Sequence, residues 1–411
     1  MNNLKELQQQ YARLVVREGL NVQPGQRLVI ACPVDGAYFA RLVATEAYEV
    51  GCREVVMRWS DDFLTREKYL KADDSIFDEV NAWDVLQADK LSEEGAAWLS
   101  IHAADPENLK GVDAGRIRRS QKASGQAMAA FRQRQMRNGF AWCVCAIPCP
   151  AWTAKVFPDL NPEAGEMKLW EEILKACRVE EGGDAVAAWQ AHSGKLHERM
   201  ERLNALELQS LHFVNAAGTD LTVKLPQGHF WAGGSEKTEG GVEFSANIPT
   251  EEIFTLPHRE GVDGVVVASK PLALHGNLVE NFRLTLEKGK IVDVQAESGA
   301  EILRDAISVD EGASYLGEVA LVPYHSPISN SGILFYNTLF DENASCHFAF
   351  GSAYPCLKDA AKLTEEQLKE RGMNDSMTHV DFMIGTADLS ITGVTGEGKE
   401  VAIFVNGDFA F

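Results

Sequence analysis

No stretch of this 411-residue sequence approaches the eighteen or so apolar residues that a membrane-spanning helix needs, so a helical bilayer anchor is not expected. Positive charge is also short: 39 Lys and Arg stand against 60 Asp and Glu, a formal net charge of −21. Such a chain repels phosphate backbones and anionic lipid surfaces, which argues against nucleic acid or a membrane as partner. A cation, whether a free amine or a metal ion, would be drawn in. The opening MNNLKELQQQYARLVV has neither the basic nor the continuous apolar region of an export signal, so a cytoplasmic location is expected. Cysteine is sparse, 8 residues with several in apolar strands, which suits a reducing compartment and thiols that pack as small hydrophobes.

Several familiar motifs are missing. Without His-Glu-x-x-His the helical zinc-protease arrangement is excluded, and without G-x-G-x-x-G a dinucleotide site has no support. Gly393 to Lys399 matches the phosphate-loop spacing, but Glu400 stands where a Ser or Thr would hold magnesium and a strand follows, so the segment is expected to be a hairpin turn. Cys143, Cys145 and Cys149 form C-x-C-x-x-x-C with no fourth ligand nearby and read as strand core. His102, His192, His197, His212 and His275 have surroundings that suggest no ligand role. There is no internal repeat and no low-complexity linker.

What is present falls into two halves of different texture. Leu4, Leu7, Tyr11, Leu14, Val15 and Val16 recur at helical spacing, so residues 2–20 are expected to form an amphipathic helix ending near Gly19. A strand over 27–32, a helix over 38–51 and a strand over 53–59 make a βαβ unit. Strands over 96–103 and 140–148, with a long helix from about 115 to 137 between them, continue it, and a helical tail runs from Glu163 to about Asn204. Residues 1–205 are therefore expected to be an α/β domain, a parallel sheet with flanking helices. Residues 206–411 are expected to be an α+β, largely antiparallel domain. Its signals are hairpins over 206–230 and 282–298, the latter turning at Lys288-Gly289, and a closing hairpin after Asp388. Between them come strands over 316–323, 333–340, 345–351 and 378–385.

Chemistry concentrates between Phe340 and Asp381. Glu342, His347, Tyr354, His379 and Asp381 sit there on or beside short apolar strands, where an ionisable group needs a partner to be tolerated. Side chains alternate along a strand, so His379 and Asp381 project to one side, and His347 shares a face with the small Ser345 and Ala349. Glu318 interrupts the apolar YLGEVALVP, and Glu252 follows a turn in NIPTEEIFTLP. Together these make four carboxylates and two imidazoles, a donor inventory for two divalent ions with one carboxylate between them.

NIPTEEIFT around Glu252, LGEVALV around Glu318, FDENASCHFAFGSAY over 340–354 and THVDFMIG around His379 and Asp381 resemble the aminopeptidase T, S and II family of metallopeptidases. The resemblance implies a homodimeric, cytoplasmic metallo-aminopeptidase. It would cleave the N-terminal residue from short peptides with a free N-terminus, using two divalent ions per chain drawn from zinc, cobalt, manganese and magnesium. It also implies Glu252, Glu318, Glu342, His347, His379 and Asp381 as metal ligands. In the mechanism it suggests, Glu318 handles the proton and Tyr354 donates a hydrogen bond to the tetrahedral oxyanion. The double acid Glu251-Glu252 makes Glu251 a competing ligand or amine anchor. A dinuclear amidase or a non-catalytic metal-binding protein on the same fold is the alternative.

Overall fold

The computed structural model describes residues 3–274 and 277–411. Asn2 of the expected first helix and His275 lie outside the described residues. The chain divides into two compact units, Met1–Ser193 with Ser235–Pro249, and Gly194–Gly234 with Thr250–Phe411. The division thus crosses within the helix Ala185–Ala205, ahead of the boundary expected near 205. Residues 235–249 return to the first unit because the strand Asn247–Ile248 pairs in parallel with that unit's sheet.

The first unit is built on four apolar strands: β1 (Arg27–Pro33), β2 (Glu54–Ser60), β3 (Ala97–His102) and β4 (Trp142–Ala146). They lie in the order β4-β3-β1-β2, all parallel, with Asn247–Ile248 beyond β4. Helices supply the crossovers that parallel strands require. The opening helix α1 (Leu4–Leu14) buries Leu7, Tyr11 and Leu14, and continues as a wider turn over Val15–Gly19. The Tyr11 hydroxyl sits 3.2 Å from the Ala146 carbonyl it donates to, which ties α1 to the end of β4. The helix expected over 115–137 is interrupted at Met128, and the tail from 163 is two helices, Pro162–Ala176 and Ala185–Ala205. The Glu-Glu-Gly-Gly segment at 180–183 accounts for the second break, since Gly182 has φ 72°.

In the second unit an eight-stranded antiparallel sheet is formed by the three expected hairpins, Val262–Val267 and the short edge strand Asp408–Phe409. The segment over Gly393–Lys399 closes one of these hairpins, between Ser390–Thr395 and Glu400–Val405. A second sheet carries β5 (Ile253–Thr255), β6 (Leu316–Leu321), β7 (His347–Gly351) and β8 (His379–Met383), antiparallel in the order β8-β7-β6-β5. One face of this second sheet presents Phe348, Phe350 and Phe382 to the unit's main apolar cluster, where Phe348 meets Phe213 with ring centroids 5.0 Å apart. Each such buried ring contributes about 1.5–3 kcal/mol, enough to hold strands whose opposite face carries charge.

Residues 333–340 depart from the expected strand. They form an irregular turn followed by a short helix, Thr338–Asp341, capped by the Asn337 side chain on the Leu339 N–H. The cause is a short-range side-chain bond that competes with the strand pattern: the buried Asp341 carboxylate accepts the N–H groups of Phe335 and Asn337, which a sheet ladder would otherwise use. Among the described residues no helix is long and apolar enough to cross a membrane.

Candidate metal centre

The site is assembled by register across three strands. Glu318 of β6 stands opposite Ala349 of β7, which stands opposite Asp381 of β8; His379 stands opposite Gly351. Opposed residues in an antiparallel pair share a face, as do residues two apart on one strand. His347, Glu318, His379 and Asp381 therefore all leave the same side of the sheet, and the small Ala349 and Gly351 leave open space between them.

Glu318 reaches that face through a bulge. Leu316 pairs with Phe350, but after Gly317 the register slips by one, so Glu318 pairs with Ala349 rather than Phe348. A one-residue slip sends every later side chain to the other face. Leu316 thus stays in the core with the phenylalanines while Glu318 turns to the histidines. Only glycine fits at 317: a Cβ there would lie 2.4 Å from the carbonyl oxygens of Gly351 and Ser352.

Two groups of donor atoms result, each within 4.8 Å: Glu252, Glu318 and His347, and Glu318, His379 and Asp381. His347 Nε2 lies 3.3 Å from Glu252 and 3.5 Å from Glu318 Oε1; His379 Nε2 lies 3.5 Å from Glu318 Oε2 and 3.2 Å from Asp381. The far side of each ring is anchored to backbone, with His347 Nδ1 3.2 Å from the Ser345 carbonyl and His379 Nδ1 2.7 Å from that of Ser352. A carbonyl only accepts, so each Nδ1 carries a hydrogen and each Nε2 is turned to the carboxylates, the arrangement that orients a metal-binding imidazole.

Electrostatics point the same way. Burial raises the Glu318 carboxyl against the opposing pull of His347 and His379, and burial with the charges of Glu252 and Asp381 holds Glu342 well above its ordinary range. Burial alone would lower His379, but Asp381 and Glu318 carry it up to about 10. His347 is likewise raised, its hydrogen bonds to Glu252 and Glu318 outweighing burial. Asp381 is lowered in spite of burial because His379 is beside it. The buried carboxylates thus favour positive charge at both imidazoles, and a divalent cation, for which this mixed oxygen and nitrogen donor set is suited, would supply it in their place.

The remaining candidates lie around these groups. Glu342 belongs to neither, although its electrostatic neighbours include Glu252, Asp381 and Glu318. Tyr354 packs edge-on against His379 with ring centroids 5.5 Å apart, and against Phe254 at 5.6 Å. Glu251 is buried outside both groups, where its backbone N–H donates to Asn343 and its charge supports that of Arg199. Sequence reasoning missed Asp341, buried one residue before Glu342, and the two carbonyls that hold the histidines. Gly317 and Gly351, glycines inside otherwise apolar strands, were the legible signal of irregular pairing here.

A family model described as thermophilic metalloprotease (M29) matches residues 4–409. Aminopeptidase AmpS of Bacillus subtilis is 47% identical over the whole of both chains, and aminopeptidase 2 of Geobacillus stearothermophilus is 45% identical over 100% of this chain and 99% of its own. The solved structure of wild-type AmpT from Thermus thermophilus superposes with a TM-score of 0.92 at 38% identity, covering 99% of this chain and 100% of that one. A Pseudomonas putida dihydroxypyridine dioxygenase, 13% identical with a TM-score of 0.53, shares the fold alone.

Proposed function

This chain belongs to the thermophilic metalloprotease (M29) family, and from that premise we propose that its two donor groups hold two divalent ions for removal of N-terminal residues from short peptides. It is a metal-dependent aminopeptidase, a hydrolase of peptide bonds. The observation that supports two ions is the division of Glu318, one oxygen towards His347 and the other towards His379. Divalent ions so held supply Lewis acidity for a scissile carbonyl and a lowered pKa for water. Histidine with carboxylate donors suits zinc, cobalt and manganese better than magnesium, which prefers oxygen and water.

The chain's own groups do the rest. Both oxygens of Glu318 are engaged, so the proton transfer expected of it passes in this reading to Glu342, a carboxylate outside both donor groups whose electrostatic neighbours include Glu252, Asp381 and Glu318. Tyr354, beside His379, is placed to donate to the oxygen that gains charge during attack. An excess of carboxylates holds the substrate's ammonium and so sets the first peptide bond in register, which is where exopeptidase specificity would arise. The proposal includes a cytoplasmic homodimer: eight free thiols suit a reducing compartment, and Trp59, Phe63, Leu64 and Trp83 leave the first unit with apolar surface for a partner.

Amine recognition is the part that can be tested directly. Leucyl-alanine and its N-acetyl form are compared at equal concentration; acetylation is expected to abolish measurable cleavage. Equal rates, or cuts at internal bonds of longer peptides, reject the exopeptidase reading.

A further inference from the structure

Asn343 is a fully buried amide in the short turn Glu342–Ala344 that leads towards β7. A buried amide is tolerated where its oxygen and both its hydrogens find partners, and here they do. Its Oδ1 accepts the Glu251 backbone N–H at 2.8 Å, and its Nδ2 donates to the Leu339 carbonyl at 2.9 Å and to Glu342 Oε1 at 3.4 Å. These partners fix the orientation of the amide, since a backbone N–H only donates and a carbonyl only accepts. The flipped amide would set donor against donor and acceptor against acceptor.

The three bonds differ in reach. The one to Leu339 is local, four residues back along the chain, and gives a partner to a carbonyl at the end of the short helix Thr338–Asp341. The one to Glu251 spans 92 residues and holds the backbone immediately before Glu252, the carboxylate 3.3 Å from His347 Nε2. The third reaches the side chain of Glu342, whose electrostatic neighbours Glu252, Asp381 and Glu318 carry like charge. One side chain thus joins the backbone beside a donor-group carboxylate to the carboxylate that stands outside both groups.

The chemistry of an amide suits that task. Like charges in a buried site repel, and without a tie Glu252 and Glu342 would turn away from each other. A Lys or Arg at 343 would hold Glu342 but neutralise it. An amide hydrogen steadies one oxygen of Glu342 without supplying charge, which leaves the other to take a proton.

We propose that Asn343 is a positioning residue of this centre: its amide ties the backbone that carries Glu252 to the carboxylate of Glu342, so that a metal ligand and the proton-transferring group keep one geometry. The proposal rests on the role given to Glu342 in the aminopeptidase reading above. Asn343→Ala removes both long-range ties. At saturating metal a loss in kcat/KM of about 10–100-fold is expected, the usual size for partners that orient a metal site. It falls on kcat rather than KM, because the displaced group acts on the reacting proton. In a Glu342→Gln background the same substitution is expected to cost about threefold or less, since the group it positions is already gone.

Two measurements need no turnover. Cobalt affinity, read by chelator competition, is expected to weaken about tenfold in Asn343→Ala, and the visible absorption of the cobalt-loaded protein to change with it. A role confined to stability would alter neither that spectrum nor the dependence on Glu342. Unfolding midpoints set the assay temperature for each variant. Wild-type protein supplies a check without any substitution: in hydrogen exchange, the amides of 250–252 and 342–344 are expected to open together and to gain the same protection when zinc is added. If wild-type protein cleaves peptides and folded Asn343→Ala matches it in kcat and cobalt spectrum, or if the two segments exchange independently, the positioning role is overturned while the aminopeptidase reading stands. An equal loss in both Glu342 backgrounds overturns the link to Glu342. If wild-type protein cleaves nothing while spectrum and exchange behave as expected, the tie stands and that reading falls.

Discussion

Two strands of this protein carry metal-ligand residue types at the same spacing, and only one of them takes part in a gathered donor set. In β4, Cys143 and Cys145 are buried, with Leu99 and Ile101 of β3 opposite them. In β8, His379 and Asp381 stand opposite Gly351 and Ala349, and Glu318 comes next in the row. Among the described residues the cysteines join no group of three potential ligands, whereas Glu318, His379 and Asp381 form one. Burial pushes both thiols up, so they remain protonated and inert, while the β8 pair is held charged by its neighbours. Spacing supplies two ligands at most. The cross-strand register supplies the others.

Removing the cation tests this contrast most severely. Chelation followed by dialysis is expected to reduce turnover to background, and single additions of zinc, cobalt or manganese to restore it. Full turnover by protein that elemental analysis finds free of metal would break the comparison, because β8 would then be no more a metal site than β4.

Exchanging one residue on each side sharpens it. Glu318→Gln keeps the shape but removes the charge shared by both donor groups, and a loss of kcat/KM on the order of 10² or more is expected, since even partners outside the ligand set are worth 10–100-fold. Cys145→Ser is expected to leave metal content and kcat/KM unchanged. It should cost about 1–3 kcal/mol of stability, read from denaturant unfolding, because a hydroxyl is buried among apolar neighbours. Equal activity in the Glu318 variant, or metal loss in the Cys145 variant, would reverse the assignment of roles.

The smallest effect expected is on pH dependence. Burial raises Cys32 and Cys346 to about 12 and lifts Cys145 well above the ordinary thiol range. Unfolded thiols lose their protons near pH 8.5, so above that pH the unfolded state binds fewer protons than the folded one and stability falls as pH rises. A reversible drop in the urea midpoint between pH 8 and 9.5 is expected, smaller in Cys145→Ala. A midpoint that rises over this window would contradict the protonated, buried state of these thiols.

The legible and illegible parts of the site differ by the range of the forces that make them. His379 and Asp381 share a face because strand geometry is local, and their place in the site could be read from two letters and a period of two. Glu318 was recognised as an anomalous charge, but its face depends on the slip at Gly317, and that slip is set by the carbonyls of Gly351 and Ser352, more than thirty residues away. The segment over 333–340 has the composition of a strand. It became a turn because Asp341 takes up two of its N–H groups, and a carboxylate's choice of partners is not written in the propensity of the residues it binds.

From sequence alone came the things that depend on neighbours along the chain: the parallel and antiparallel halves, the types of donor, the excess of negative charge, and the family to which those motifs point. Tertiary structure decided which donors meet. Glu318 divides between two histidines, and Glu342 stands outside both groups. The physical reason is that hydrogen-bond register and the burial of charge are settled between segments far apart in sequence. Shifting one pairing by a single residue would have turned Glu318 into the phenylalanine core.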